Sequence, residues 1–305
     1  MKAIVTGGAG FIGSHLAEAL LSRGADTHII DNLSTGYSRY VPADAAFHEL
    51  DIRSGEALRK LLADLRPDIV FHLAAQADVQ RSIKEPSYDA AVNLLGTANV
   101  LEAARDAGAG KIVFASTSGV YGNLERERLS EDDPVAPISF YALSKAAAEA
   151  HIRLFHELYG LSYTILRYAN VYGPRQTPKG EGGVVALFMD RIRSGRPLRV
   201  FGDGEQTRDF IYVQDVVKAN LAAIDSGDQA LLHVSTSAST SVNALTAALG
   251  AIHGAPLAVE HLPARAGDIR HSCLDNARAR LQLIWQPATP IDEGLRQTYA
   301  QEVLR

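Results

Sequence analysis

The chain reads as an α/β protein in which a doubly wound parallel sheet is joined to a smaller C-terminal α/β subdomain. Three observations predict this: short β-rich runs alternate with amphipathic helical runs through the first half, the first strand enters its helix through a turn of glycines, and the alternation breaks at Gly173-Pro174. Strands followed each time by a helix specify a parallel sheet with right-handed crossovers.

Residues 3–6 form the first strand and residues 14–21 the first helix, with Gly-Gly-Ala-Gly-Phe-Ile-Gly between them at positions 7–13. Glycines at such a turn permit tight backbone angles and let a pyrophosphate lie against the main chain, while N–H groups at the helix N-terminus receive the anion. This is a Rossmann-type dinucleotide site. Residues 27–30 form the second strand and end at Asp31, close to the ~20-residue offset at which a carboxylate meets the adenosine ribose hydroxyls. Its charge repels a 2′-phosphate, and no Lys or Arg stands between Asp31 and Arg39, so the expected cofactor is NAD rather than NADP.

The pattern then predicts helix Gly55–Leu65, strand 69–73, helix 87–107, strand 111–116, helix 141–159 and strand 162–167. After Gly173-Pro174, residues 180–183 read as a loop before a helix that begins near Val184. Residues 1–175 are expected to form the NAD-binding domain and residues 176–305 mainly the substrate-binding subdomain. The runs 210–213 and 231–235, within a segment near 209–235, are expected to return to the main sheet.

At 305 residues and 47% hydrophobic content the chain can bury a substantial core, as one large domain or two smaller ones. A net charge of -5 argues against a nucleic-acid partner, although arginines can still gather around an anionic ligand. One cysteine, Cys273, excludes an internal disulfide and a multi-cysteine zinc site, and no metal is expected. With no signal-like start and no stretch of ~18 apolar residues, the expectation is a soluble cytoplasmic protein without a membrane partner.

Of the 11 tyrosines only Tyr141 has a lysine four residues later, Lys145, and both stand at the start of a predicted helix. Spacing i,i+4 puts them on one face. A phenol near pKa ~10 is a poor base at neutral pH, but a nearby ammonium and a positive nicotinamide ring favour the phenolate. Such a pair can take a proton from a sugar hydroxyl. A surface tyrosine beside a solvated lysine is the plain alternative. Position weighs against it, because the strand before this helix ends in Ser116-Thr117-Ser118, and ligands of parallel sheets gather outside the carboxyl ends of the strands. His72, with no companion acid at suggestive spacing, reads as a packed, hydrogen-bonded histidine, and Cys273 as structural.

Across nearly its whole length the chain resembles the extended short-chain dehydrogenase/reductase family, and within it the UDP-glucose 4-epimerase-like members. The resemblance is carried in order by the glycine turn, Asp31-Asn32-Leu33-Ser34-Thr35-Gly36, Asp51-Ile52-Arg53, His72-Leu73-Ala74-Ala75-Gln76 and Ser116-Thr117-Ser118-Gly119-Val120-Tyr121-Gly122. It continues through Tyr141-Ala142-Leu143-Ser144-Lys145, Arg167-Tyr168-Ala169-Asn170, Gln206-Thr207-Arg208-Asp209-Phe210 and Arg265-Ala266-Gly267-Asp268.

The resemblance implies that Thr117 is the catalytic hydroxyl, Tyr141 the base, and Lys145 the residue that holds the nicotinamide ribose and tunes the tyrosine. It implies an NAD site from Gly7, Gly10, Phe11, Ile12 and Gly13 through Asp31, Asn32, Ser34 and Gly36, with Asp51 and Ile52 at the adenine. Leu73, Ala74, Ala75, Gln76, Asn93 and Tyr168 complete that site with Tyr141 and Lys145. Thr117 together with Asn170, Arg208, Arg265 and Asp268 is expected to hold a nucleotide-sugar substrate, a UDP-hexose, through its diphosphate and ribose, a task suited to the planar guanidinium fork.

Related dehydratases place Asp-Glu directly after the threonine, and related decarboxylases a glutamate two positions after it, where this chain has Ser118 and Gly119. Without those acids the site is equipped to oxidise C4 and reduce it again, which is 4-epimerisation through a 4-keto sugar. Another nucleotide-sugar epimerase or reductase is the alternative within the class, and a non-catalytic NAD-binding sensor the alternative outside it. Ala169 departs from the phenylalanine common in 4-epimerases. In the resembling 4-epimerases the residue four positions after this aspartate lies against the sugar; counting from Asp268 gives Ser272, so the resemblance implies room for a 2-acetamido group, and UDP-N-acetylhexosamines are expected substrates too. The family's pairing of two long helices across a two-fold axis implies a homodimer.

Overall fold

The computed structural model describes residues 1–124, 126–178, 183–264 and 269–304. Its main sheet begins with β1 (Lys2–Thr6), β2 (Asp26–Asp31), β3 (Ala46–Glu49), β4 (Ile69–His72), β5 (Lys111–Thr117) and β6 (Ser162–Tyr168). Three short strands follow outside it, β7 (Asn170–Tyr172), β8 (Leu198–Phe201) and β9 (Thr207–Arg208), and then β10 (Phe210–Tyr212), before β11 (Ala230–Val234) returns as the seventh strand. The order is β3-β2-β1-β4-β5-β6-β11, parallel at every pair. Strand order reverses between β1 and β4, and the crevice outside the carboxyl ends at such a reversal is where open α/β sheets bind ligands.

The alternation of side chains along a strand buries both faces. Ala3 and Val5 of β1 enter a core with Leu16 and Leu20 of α1 (Phe11–Ser22), while Ile4 enters the opposite core with Leu58 and Leu62 of α2 (Gly55–Leu65). After β4 come α3 (Val79–Lys84), α4 (Pro86–Ala90) and α5 (Gly96–Asp106), and α6 (Phe140–Tyr159) connects β5 to β6. α6 starts at Ser139, whose hydroxyl accepts from Ala142 N, and stops at left-handed Gly160. The expected helix 87–107 is interrupted: residues Ala91–Leu95 form a π turn between α4 and α5. Such turns often mark functional positions, and this one carries Asn93.

A third core joins β7, β8 and β10 to α7 (Val184–Arg193) and α8 (Val213–Ala222), through Tyr172, Phe188, Val200, Phe210 and Val213. β12 (Thr240–Ser241), α9 (Val242–His253), β13 (Val259–Leu262), β14 (His271–Ser272), α10 (Ala277–Gln282) and α11 (Ile291–Glu302) complete the chain. Of the two runs expected to rejoin the main sheet, only the one at 230–234 does. Phe210–Tyr212 instead pairs with β7 in a separate two-stranded sheet, and Val213 begins α8. A short apolar run does not encode its partner. Here the buried carboxylate of Asp209 accepts from the backbone N–H groups of Thr236 (2.9 Å) and Ser237 (3.0 Å), which holds the start of β10 beside the chain leaving β11. The loop expected at 180–183 lies outside the described residues up to 182, and the helix after it begins at Val184 as the pattern requires. Among the described residues no helix is long and apolar enough to cross a membrane.

Candidate active site

The turn from β1 into α1 has no room for side chains at two positions. Gly7 has φ +72°, and a Cβ there would lie 2.7 Å from the Ala74 backbone nitrogen; a Cβ at Gly13 would lie 2.2 Å from the Gly7 carbonyl oxygen. The turn therefore packs directly on the segment after β4. Gly10 caps α1 without a side-chain hydrogen bond, which leaves the N–H groups of the first helical turn to an anion.

Asp31 closes the end of β2. Its two oxygens accept from Ala9 N (3.0 Å) and Leu33 N (2.8 Å), so the carboxylate ties the glycine turn to the loop that follows. Burial pushes its pKa above the ordinary carboxylate value, and the two N–H donors oppose that shift. Asn32 donates to Asp51 (2.8 Å), and Asp51 is gripped by Arg53, whose hydrogen bond is the first cause holding that carboxyl down at about 2.

These segments form one groove over the carboxyl ends of β1, β2 and β4. It is lined by Gly7, Gly10, Phe11, Ile12 and Gly13, by Asp31, Asn32 and Ser34, by Asp51 and Ile52, by Leu73, Ala74, Ala75 and Gln76, and by Tyr141, Lys145 and Tyr168. Two expected members stand behind the wall. Gly36 faces the Ala9 backbone so closely that a Cβ there would lie 3.0 Å from the Ala9 carbonyl group, and Asn93 is buried, accepting from Gln76 N and donating to Gln76 O, both at 2.8 Å. Asn93 thus holds the loop rather than lining the groove. The sequence reading missed Thr35, Arg81 and Tyr88 at the groove; Arg81 lies 4.0 Å over the Tyr88 ring, and no motif announced either.

A second cavity opens beside the first and shares Phe11, Ile12, Ala77, Ser116, Tyr141 and Tyr168 with it. Tyr141 thus stands where the two meet. Lys145 is 3% exposed, and its ammonium donates to the Ala115 carbonyl oxygen at 2.8 Å. Thr117, at the end of β5, accepts from Gly119 N through Oγ1 and lines the second cavity with Asn170 and Arg208. Arg191 and Arg199 line it too, and sequence reasoning missed both. The signal was weak: Arg199 merely alternates with buried Leu198 and Val200 in β8.

Ser272 is not among the residues lining this cavity. It pairs with Arg208 across β14 and β9, so the two share a face of that small sheet. Arg265 and Asp268 lie outside the described residues. His72 is fully buried between Thr6 (2.7 Å) and Thr97 (2.9 Å), as its sequence context suggested. Cys273 is buried, with Sγ 3.8 Å from Asp209, and burial pushes its thiol pKa up.

The fold and the two joined cavities define a Rossmann-type dinucleotide-binding enzyme. The chain belongs to the NAD dependent epimerase/dehydratase family, whose model matches residues 3–233. It is 43% identical to the UDP-glucose 4-epimerase of Mycolicibacterium smegmatis, with 98% of this chain and 97% of that protein covered. Among solved structures it resembles a UDP-glucose 4-epimerase of Thermotoga maritima with UDP-glucose (TM-score 0.97, 42% identity, 100% of both chains). It also resembles a UDP-N-acetylglucosamine 4-epimerase of Methanobrevibacter ruminantium in complex with UDP-N-acetylmuramic acid (TM-score 0.94, 35% identity, 98% and 97% covered).

Proposed function

We propose that the protein is an NAD-dependent UDP-sugar 4-epimerase that interconverts UDP-glucose and UDP-galactose and accepts UDP-N-acetylhexosamines. The observation that carries this reading is the position of Tyr141 at the junction of the two cavities. Bound NAD⁺ supplies the hydride acceptor at the sugar C4 and, once reduced, the donor that restores it.

The residues of the chain do the rest. The glycine turn cradles the pyrophosphate, and Asp31 receives the adenosine ribose hydroxyls. Tyr141 removes the proton of the 4-hydroxyl and later returns it, with Thr117 sharing that hydrogen bond and Lys145 beside the tyrosine and the nicotinamide ribose. Asn170 and Arg208, with Arg265 and Asp268, hold the nucleotide diphosphate while the 4-keto sugar turns over in a cavity walled by Phe11, Ile12, Ala169 and Val171. Residues 118 and 119, Ser and Gly, offer no acid for elimination.

Residues 1–175 with β11 form the NAD-binding part, and the remainder from 176 onwards is mainly the substrate-binding part. Exposed Leu95, Leu143, Leu154 and Leu158 leave an apolar surface on neighbouring helices that a second copy covers in a homodimer. Incubation with UDP-glucose and NAD⁺, followed by proton NMR, tests the activity: UDP-galactose accumulates to equilibrium, and a spectrum unchanged over hours overturns the proposal.

A further inference from the structure

The face of α6 that carries Tyr141 and Lys145 continues to a third functional group, Glu149, at i, i+4 and i+8. Glu149 is 1% exposed and Arg167 of β6 is 2% exposed. Arg167 Nε and Nη2 donate to the two Glu149 oxygens at 2.9 and 2.6 Å, a fork-on-fork pair. Ser116 Oγ donates to the same carboxylate at 2.5 Å.

Behind the pair the network runs on. Arg167 Nη1 donates to the Tyr121 hydroxyl at 2.6 Å, and that hydroxyl lies 2.5 Å from His233 Nε2. His233 Nδ1 lies 2.9 Å from the Asp275 carbonyl oxygen. A carbonyl only accepts, so Nδ1 carries the proton, Nε2 accepts, and the tyrosine hydroxyl donates to it. Each bond in this series then has a single direction.

Two ordinary uses do not account for it. A buried ion pair is weak evidence for stability, because apolar residues of similar volume often do as well. Nor does epimerisation need a conduit to solvent, since the proton taken from the 4-hydroxyl goes back to the same oxygen. What the network does achieve is geometric. Ser116 lines both cavities and precedes Thr117, so Glu149 ties the helix bearing Tyr141 to the strand end bearing Thr117.

We propose that Glu149, held by Arg167, is a positioning residue for the epimerisation, fixing Thr117 relative to Tyr141 through the hydroxyl of Ser116. This rests on the roles given above to Tyr141 and Thr117. A displacement of 1 Å in such a constellation costs about 10²-fold in rate.

The test compares kcat, KM for UDP-glucose, NAD affinity and melting temperature in wild type, Glu149→Gln, Ser116→Ala and the double variant. Glutamine keeps the volume but leaves one acceptor oxygen for three donors. Each single variant loses about 10- to 100-fold in kcat, with KM and NAD affinity within about twofold, and the double variant loses no more than the worse single one because both break one link. An active wild type with unchanged kcat in folded Glu149→Gln, a change confined to KM or melting temperature, or losses that multiply in the double variant overturns the role. If Glu149→Gln does not fold, Ser116→Ala, which leaves the Glu149–Arg167 pair intact, decides: normal kcat overturns the role. An inactive wild type overturns the proposed function and this role with it.

Discussion

Lys145 Nζ donates a 2.8 Å hydrogen bond to the carbonyl oxygen of Ala115, tying the second turn of α6 to the end of β5. The ammonium also lies 4.6 Å over the Phe114 ring, so its position is set from two sides. Tyr141, one turn earlier on the same face, is thereby aimed at the junction of the cavities. A strand end thus helps hold the helix that carries the pair.

Tyr141→Phe removes the proton acceptor and little else. Its kcat is expected to fall ~10²–10⁴-fold, the usual worth of a general acid–base group, while NAD affinity stays near wild type. Steady-state kinetics and an NAD titration read the two effects separately. Activity within tenfold of wild type rules out Tyr141 as the base.

Gly13→Ala places a methyl group 2.2 Å from the Gly7 carbonyl oxygen, which is backbone and cannot swing aside. The turn must shift, and NAD affinity is expected to drop more than about tenfold. Thermal shift with and without NAD measures it: wild type gains stability from the ligand, and the variant gains far less.

Asp31 brings both charge and shape to the groove, since its oxygens also hold Ala9 and Leu33. NADP is expected to bind at least about 10-fold more weakly than NAD, because a 2′-phosphate would meet the buried Asp31 carboxylate and no Lys or Arg stands between Asp31 and Arg39 to offset it. Equal dissociation constants in calorimetry would contradict this.

Ser272 shares a sheet face with Arg208, one strand removed from the cavity. Ser272→Tyr is therefore expected to lower kcat/KM for UDP-N-acetylglucosamine about 10-fold or more while UDP-glucose is affected less. An unchanged ratio between the two substrates means that position 272 does not govern the sugar.

Two buried histidines make the fold acid-sensitive. Burial is the first cause holding His72 down at about 3 and His233 at about 4, so both are neutral when folded. Unfolded, they titrate near the ordinary value of ~6.5. Below that value the unfolded chain binds more protons, so stability is full at neutral pH and is lost as pH falls from about 6.5 toward 4 and 3. Urea midpoints at pH 7, 6 and 5 check this; a flat series shows that the two histidines are not buried neutral.

Much of this protein was legible along the chain because its signals are local. The glycine turn, the 3.6-residue and 2-residue periodicities and the Tyr141–Lys145 spacing each depend only on near neighbours, and each folds as read. Phe210–Tyr212 was misplaced for the converse reason: an apolar run says that it is buried, not beside which strand. Asn93 was placed at the cofactor by position, yet the π turn that carries it aims its amide at the Gln76 backbone instead.

What the sequence determined by itself was the parallel sheet, the dinucleotide turn and the helix face bearing Tyr141 and Lys145. Tertiary structure alone decided that Arg191 and Arg199 share a cavity with Arg208, and that Ser116, Glu149, Arg167, Tyr121 and His233 form one buried chain of hydrogen bonds. Those partners lie 18 to 112 residues apart in consecutive links of that chain. No local pattern relates them, because their contact exists only once strands and helices from distant segments have packed and desolvation has forced each buried polar group to find a partner.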